Sequence, residues 1–205
     1  MRISLQNIGR RFNRDWIFRG IDFDFEQGHS YAILGPNGSG KSTLVQVIAG
    51  SLSPSEGSIN HSNKGKNIPA EEIFQHLSFA SPYLELVQDF SLDETIDFHF
   101  KFKKLLPGFN KQKVVELLGF EKYLHRQIKN YSSGMKQRVK LALAFCSDTP
   151  LLLLDEPTAN LDTQGSEWYL DLIQQFSKDR LTIICSNQLH EYEFCEERLN
   201  VVDYK

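Results

Sequence analysis

The 205-residue chain has no long hydrophobic run, few cysteines and little net charge. Its longest apolar stretches, such as 151–154 and 183–185, fall far short of the ~18 residues that a transmembrane helix needs. The first six residues, MRISLQ, contain no signal-peptide core. Its three cysteines form no C-x-x-C pair, which indicates free thiols in a reducing compartment. Together these absences predict a cytoplasmic protein without a membrane span.

The charge and composition narrow the class of protein further. A net charge of −3 gives no electrostatic reason to expect a nucleic-acid partner. Hydrophobic residues make up 40% of the chain, which is enough for a real core, and the length fits one large domain or two closely joined lobes. The lysine-rich stretch 101–113 is best explained as a solvated helical face, with lipid or partner binding as the alternative.

The strongest positive signal is the string GPNGSGKST at 35–43, which contains the phosphate-loop pattern G-x-x-x-x-G-K-[ST]. A predicted apolar strand, 31–34, precedes it, and a predicted helix, 42–49, follows it. Glycines let successive backbone N–H groups point at phosphates, and the helix N-terminus adds partial positive charge. The loop predicts that Lys41 binds the β- and γ-phosphates and that Ser42 binds Mg²⁺. The alternative is an ordinary glycine-rich turn.

A second string, LLLLDEP at 151–157, places two carboxylates after an apolar run. The run predicts an interior strand of a mostly parallel sheet, and open α/β sheets bind ligands at the carboxyl ends of their strands. There Asp155 can hold Mg²⁺ through its water shell, and Glu156 can polarise an attacking water. Alone, the two acids would fit an exposed strand-end turn equally well. Behind a phosphate loop, we interpret them as part of a site that binds and hydrolyses MgATP.

The order of predicted elements separates these two motifs. Residues 2–34 alternate as strands do, and the pattern becomes helical from about residue 90. The capping-box string SLDE at 91–94 opens a helix that is predicted to end at 107–108, and two more helices follow. After residue 151 the pattern returns to strand, helix and strand, with a last strand at 199–203. A helical block is therefore inserted between the phosphate loop and the carboxylates.

With these motifs in this order, nearly the whole chain resembles the nucleotide-binding domain of ABC (ATP-binding cassette) proteins. The family signature L-S-G-G-Q corresponds to YSSGM at 131–135, which keeps Ser132 and Gly134, and ANLD at 159–162 matches the family D-loop. The resemblance implies an α/β fold: a P-loop NTPase (RecA-like) core with an N-terminal antiparallel β subdomain and an inserted helical subdomain. The implied bounds are about 1–34 and 57–61 for the β subdomain, about 35–81 and 148–205 for the core, and about 83–147 for the helical subdomain.

The resemblance also implies a function. The chain is expected to be the ATP-hydrolysing subunit of a transporter, which energises a separate membrane subunit by ATP-driven head-to-tail dimerisation. Its expected partners are a second copy of itself or a homologous cassette, and an integral membrane transporter subunit at the inner face of the cell membrane. ATP and Mg²⁺ are the expected cofactors. The alternative is a non-transport ABC-type switch that acts on a protein partner, whereas the signature string disfavours a P-loop kinase.

The site residues implied by the resemblance combine the motifs with two aromatic residues near the N-terminus, because adenine stacks readily on an aromatic ring. The residues expected to act in catalysis are Glu156, Lys41 and Asn187. Those expected to hold the metal are Ser42 and Asp155. The set expected to bind the nucleotide is Phe12, Trp16, Gly35, Pro36, Asn37, Gly38, Ser39, Gly40, Lys41, Ser42, Thr43, Ser132, Gly134 and Asp162.

Two positions depart from the family pattern. Pro82 stands where the family has a metal-sensing Gln, and it offers no side-chain oxygen, so Gln88 is the alternative for this role. Asn187 stands where the family has a His, and it can donate through its amide but cannot carry a proton. His190 is the alternative there. The sequence therefore predicts an ATPase that is competent but slow.

Overall fold

The computed structural model describes residues 1–205, and its strands form two sheets. The strands are β1 (Arg2–Phe12), β2 (Asp15–Glu26), β3 (Ser30–Leu34), β4 (Glu56–Asn63), β5 (Lys66–Ile68), β6 (Leu77–Ala80), β7 (Leu151–Asp155), β8 (Leu181–Cys185) and β9 (Glu197–Asn200). The α-helices are α1 (Lys41–Ile48), α2 (Leu92–His99), α3 (Lys111–Leu118), α4 (Ser133–Phe145), α5 (Thr163–Phe176) and α6 (Leu189–Tyr192). Short 3-10 helices lie at Ala70–Gln75, Glu121–Tyr123, Ile128–Asn130 and Val201–Tyr204. None of these helices has both the length and the apolar character needed to cross a bilayer.

The first sheet is antiparallel, with the strand order β2-β1-β4-β5. Its alternating sequence explains its position, because Ile21 and Phe25 on β2 are fully buried while Asp22 and Asp24 on the opposite face are exposed. The buried face packs against α1 and the second sheet in a cluster of 23 buried residues. The hairpin between β1 and β2 thereby lies beside the start of α1.

The second sheet is entirely parallel, with the order β6-β7-β8-β3-β9. Every residue of β7 is buried because both faces of this strand are covered. Leu151 and Leu153 belong to the cluster that includes α1, whereas Leu152 and Leu154 pack with α4 and α5 on the other face. The sequence prediction that 151–154 is an interior strand is confirmed.

A separate helical lobe connects β6 to β7. Apolar residues of α2, α3 and α4 form its own core, which includes Leu92, Ile96, Val114, Leu118 and Val139. The predicted capping box is present, since the Ser91 hydroxyl accepts from the Glu94 N–H and the Glu94 carboxylate accepts from the Ser91 N–H. The α/β architecture with an antiparallel sheet and inserted helices is as predicted.

Several element ends differ from the prediction. Helix α2 ends at His99 and not at 107–108, because residues 104–106 pair their backbone with 146–148 in an extended conformation. The predicted last strand, 199–203, is also displaced: β9 covers Glu197–Asn200 beside β3, and the next residues turn into a 3-10 helix. Both differences come from long-range backbone pairing, which local patterns do not encode.

A histidine in the helical lobe makes the stability of the fold dependent on pH. Burial, and next the Lys103 ammonium, lower the pKa of His99 to about 4. Its Nε2 atom lies 3.0 Å from the Ser147 hydroxyl oxygen. The folded chain therefore keeps His99 neutral, whereas the unfolded chain protonates it near its ordinary value of 6.5. This difference favours the unfolded state as pH falls from about 6.5 towards 4.

We expect His99→Gln to reduce the acid sensitivity of unfolding. Between pH 7 and pH 5, the unfolding free energy of the variant should fall by roughly 1–2 kcal/mol less than that of the parent, because the variant loses this titration. Urea unfolding at each pH measures the difference. His125→Gln, at an exposed histidine, is the matched control and should follow the parent. Parallel pH profiles for His99→Gln and the parent would contradict this account.

Candidate active site

The phosphate loop connects β3 to α1, as predicted, and depends on glycine conformations. Gly35, Gly38 and Gly40 all have positive φ, with values of 146°, 78° and 102°. Space is also restricted at Gly40, because an added Cβ would lie 2.3 Å from Ile17 Cγ2. Other residues would strain the backbone here. The β1–β2 hairpin thus packs directly on the loop and supports its shape.

Lys41 is the cation at the centre of this loop. Its Nζ donates to the carbonyl oxygens of Gly35 at 2.9 Å and Pro36 at 3.3 Å. The residue is buried and forms no ion pair with a carboxylate. A buried ammonium without a counter-ion is costly in free energy, so an anionic ligand would stabilise it.

The two carboxylates lie at the carboxyl end of β7. Asp155 is only 1% exposed, and its Oδ1 has no hydrogen-bond partner, while Oδ2 accepts a long bond from the Ser81 hydroxyl at 3.5 Å. Glu156 has a positive φ of 44°, and its N–H donates to the Cys185 carbonyl at 2.8 Å. Non-glycine residues in this region are strained, and such strain clusters at functional sites. An orphaned buried carboxylate oxygen fits a metal ligand or a metal-bound water.

One cavity of about 320 Å³ joins the loop and the carboxylate edge. It is lined by Ile17, Asn37, Gly38, Gly40, Lys41, Ser42, Thr43, Tyr83 and Glu156. Six of the nine predicted loop residues and Glu156 therefore meet in one space. The predicted residues Gly35, Pro36, Ser39 and Asp155 do not line it. A cation, hydroxyl groups and a carboxylate around a cavity of this size can bind a phosphate chain and act on a water molecule beside it.

Asn187 and the two residues considered as alternatives, His190 and Gln88, have different surroundings. Asn187 lies next to the loop, where its Nδ2 donates to Asn37 Oδ1 at 3.0 Å. His190 instead pairs its Nε2 with the Thr158 hydroxyl at 3.3 Å. Gln88, the alternative to Pro82, accepts at its Oε1 from Lys136 Nζ at 3.0 Å and does not line the cavity. Of the two alternatives, neither His190 nor Gln88 faces the cavity.

The signature residues lie away from this cavity, at the start of α4. The Ser132 hydroxyl accepts from the Met135 N–H at 3.2 Å as the helix N-cap. A Cβ at Gly134 would lie 2.8 Å from the backbone oxygen of Asn160, so the signature packs tightly against the D-loop string. Asp162 caps α5 by accepting from the Gly165 N–H at 2.8 Å. These side chains are not brought to the chain's own phosphate cavity.

The two N-terminal aromatic residues have different surroundings. Phe12 is 47% exposed, with the Arg10 guanidinium 4.6 Å from its ring centroid. Trp16 has the guanidinium groups of Arg11 and Arg19 near its ring, at 5.5 and 4.7 Å. Neither ring lines the phosphate cavity, whereas Ile17 of the same hairpin does.

Three residues of the site region were missed by sequence reasoning. Ile17 gave no signal beyond an apolar strand position, although it contacts the loop. Tyr83 follows Pro82 directly and lines the cavity, and the negative charge of Glu156, followed by burial and Asp155, raises the pKa of its phenol. Glu191 is fully buried and accepts from the N–H and hydroxyl of Thr158, but it stands in a polar string that resembles a surface helix.

Comparisons with known proteins identify the fold and the family. The model of the ABC transporter family matches residues 18–159, which is more than half of the chain. The chain is 28% identical over 205 residues to the linearmycin resistance ATP-binding protein of Bacillus subtilis (strain 168), covering 98% of this chain and 66% of that protein. It is 33% identical over 183 residues to the molybdate/tungstate import ATP-binding protein of Pyrococcus horikoshii, covering 86% of this chain and 52% of that protein. The chain thus spans two thirds or less of the length of these relatives.

A solved structure supports the same fold. The dimeric structure of a bacterial ABC transporter cassette superimposes with a TM-score of 0.81 at 21% sequence identity, covering 97% of this chain and 94% of that one. The predicted P-loop core with its antiparallel sheet and inserted helices is confirmed by this similarity.

We expect Gly40→Ala to destabilise the fold more than Gly38→Ala. Each alanine strains a positive φ at a cost of about 1–2 kcal/mol, but Gly38 has open space around it and only Gly40 meets Ile17. Urea unfolding without nucleotide measures both variants. Adding Ile17→Ala to Gly40→Ala should recover part of the loss. Equal unfolding midpoints for the two glycine variants would show that the hairpin does not support the loop.

Proposed function

Because the chain belongs to the ABC transporter family, we propose that it binds MgATP, hydrolyses it and energises a transporter as its ATP-binding subunit. The observation that carries the proposal is the cavity in which Lys41 and Ser42 of the phosphate loop meet Glu156 at the end of β7. The names of the two relatives refer to resistance and import, and such functions favour a transport role over the alternative of a regulatory switch.

ATP would bind with its phosphates in the loop and its base on the β1–β2 hairpin. Lys41 would release the carbonyls of Gly35 and Pro36 and turn to the β- and γ-phosphates, and the N–H groups at the start of α1 would bind the same oxygens. Phe12 is exposed at the hairpin, so its ring would be free to stack on adenine. Trp16 is only partly exposed, and a Cβ added at Gly9 would lie 2.9 Å from its ring, which favours a packing role for Trp16.

Ser42 and Asp155 would hold Mg²⁺. The buried Oδ1 of Asp155 has no partner in the protein, which fits a group that binds the metal or its water. When it is bound, magnesium neutralises negative charge on the β- and γ-phosphates. Glu156 would accept a hydrogen bond from the attacking water, and Asn187 would donate its amide to the γ-phosphate from beside Asn37.

A second cassette would complete the site. Ser132 and the Gly134 N–H start α4 but lie outside the cavity of their own chain, so they are available to the nucleotide of a neighbour. Head-to-tail pairing of two copies, or of this chain with a homologous cassette, would place them on the γ-phosphate. One of the similar structures is a dimeric cassette, which supports the pairing of two cassettes. Without nucleotide the interface lacks its central ligand, which predicts a monomer or a weak dimer.

The membrane subunit would dock on the helical lobe. An apolar groove of about 230 Å³ lies between α2 and the segment 85–90, and Val87, Phe98 and Phe102 on it are exposed. A single aromatic side chain on a protein surface is ordinary, but a contiguous apolar groove marks a binding surface. A short amphipathic helix of the membrane subunit is the occupant that fits such a groove.

Substitutions at Lys41 and Glu156 separate binding from turnover. We expect Lys41→Ala to weaken ATP binding at least tenfold, because it removes the buried phosphate cation. Glu156→Gln should bind ATP within a few-fold of the parent but lose roughly 100-fold or more in kcat, since it affects only the water. With ATP, Glu156→Gln should accumulate a dimer.

Binding of a fluorescent ATP analogue, steady-state phosphate release and light scattering measure these outcomes. Lys66→Ala and Glu167→Gln, at exposed positions outside the site, are the matched controls. Turnover at the parent rate by Glu156→Gln would remove its assigned role. A stable nucleotide-free dimer whose mass does not change with MgATP would refute the head-to-tail model.

The Asn187 position has its own test. Asn187→His should raise kcat several-fold with little change in KM, because a charge-assisted hydrogen bond to the γ-phosphate is about twice as strong as a neutral one. The adjacent exposed residue offers a control, Gln188→His, which should leave kcat unchanged. Steady-state ATPase assays of the three proteins decide the question. No gain in kcat would mean that Asn187 does not contact the phosphate in the transition state.

A further inference from the structure

Tyr83 is a side chain of the cavity to which neither the sequence nor the family match assigns a role. It is 72% exposed and lines the cavity together with Lys41, Ser42 and Glu156. The negative charge of Glu156, followed by burial and by the charge of Asp155, raises the pKa of its phenol. Strand β6, which precedes this turn, pairs in parallel with β7, so Tyr83 enters the cavity beside the carboxylates at the end of β7. The terminal phosphate and the attacking water would meet on this side of the cavity.

The backbone that carries Tyr83 is held in place from two directions. The Tyr83 N–H donates to the Ser81 hydroxyl at 3.3 Å, and that hydroxyl also reaches Asp155 Oδ2 at 3.5 Å. From α4, Lys140 Nζ donates to the carbonyls of Ser81 at 2.9 Å and Pro82 at 3.0 Å. The ring of Pro82, the residue before Tyr83, also fixes its own φ. These contacts hold the backbone from which the Tyr83 side chain extends to the cavity.

Tyr83 supplies a side-chain hydrogen-bond donor outside the phosphate loop and α1. The other side-chain donors of the cavity, Asn37, Lys41, Ser42 and Thr43, all belong to the phosphate loop or the first turn of α1. A phenol is protonated at neutral pH, so the Tyr83 hydroxyl can donate a hydrogen bond beside a carboxylate that can only accept. A water molecule between the two groups would donate to Glu156 and accept from Tyr83.

We propose that Tyr83 is a catalytic residue for the proposed ATP hydrolysis, on which this inference rests, and that its hydroxyl orients the attacking water against Glu156. The water oxygen forms a bond to the γ-phosphorus as the bond from that phosphorus to the β–γ bridging oxygen breaks. The electron pair of the broken bond leaves with ADP, and the proton of the water passes to Glu156. Tyr83 keeps its own proton throughout and fixes the direction of attack.

Tyr83→Phe tests this role because it removes only the hydroxyl. In the full chain without a membrane partner, we expect kcat to fall about three- to tenfold, the value of one neutral hydrogen bond. KM and the dissociation constant of a fluorescent ATP analogue should stay within twofold. Tyr123→Phe, at a tyrosine of the helical lobe that does not line the cavity, is the matched control and should match the parent.

A double variant separates action on the water from a structural effect. In single-turnover assays, Tyr83→Phe combined with Glu156→Gln should be no slower than Glu156→Gln alone, because both groups act on the same water. A further multiplicative loss in the double variant would overturn the proposal. Unchanged turnover of Tyr83→Phe would also overturn it, and would leave this exposed ring as a surface for a protein partner. A parent chain that binds ATP but hydrolyses none would refute the proposed function itself, whatever the variant does.

Discussion

The parallel pairing of β3, β8, β7 and β6 is the constraint on which the site depends. In a parallel sheet all carboxyl ends lie at one edge, so the phosphate loop after β3, the carboxylates after β7 and Asn187 after β8 meet there. Parallel strands need covered faces, and two apolar clusters provide them, one with α1 and the antiparallel sheet and one with α4 and α5. The same burial that stabilises β7 removes Asp155 from water and leaves one of its oxygens without a partner.

The segment 157–162 is held from two sides, by α4 and by α6, and this connects the carboxylates to the rest of the molecule. Gln137 on α4 donates its side-chain amide to the Pro157 carbonyl at 3.0 Å. Glu191 is fully buried and accepts from the Thr158 N–H at 2.7 Å and from its hydroxyl. A buried carboxylate bound to two donors of one residue is an expensive group to displace. The segment that follows Glu156 is therefore tied directly to α4 and to α6.

The sequence predicts this site where the chemistry is local. The loop at 35–43, the strand at 151–154 and the capping box at Ser91 each depend on neighbouring residues, and the structure places all three as expected. Helix α2 ends early because residues 104–106 pair with a segment about forty positions away, which no local pattern records. The sequence does not indicate a site role for Tyr83 for the same reason, because its place in the cavity depends on where the turn after β6 passes the end of β7.

Two lysines one helical turn apart on α4 link the turn after β6 to the signature. Lys140 donates to the carbonyls of residues 81–82, and Lys136 donates to Gln88 Oε1. Lys140 is half-buried, and this burial, followed by the nearby Lys136 charge, lowers the pKa of its ammonium. The same helix begins with the signature, whose Gly134 packs on the D-loop segment. Rotation of α4 would therefore break contacts at both ends of the segment 81–88. The proposed nucleotide contacts at the start of α4 and the proposed partner beside residues 85–90 would therefore both act on this one helix.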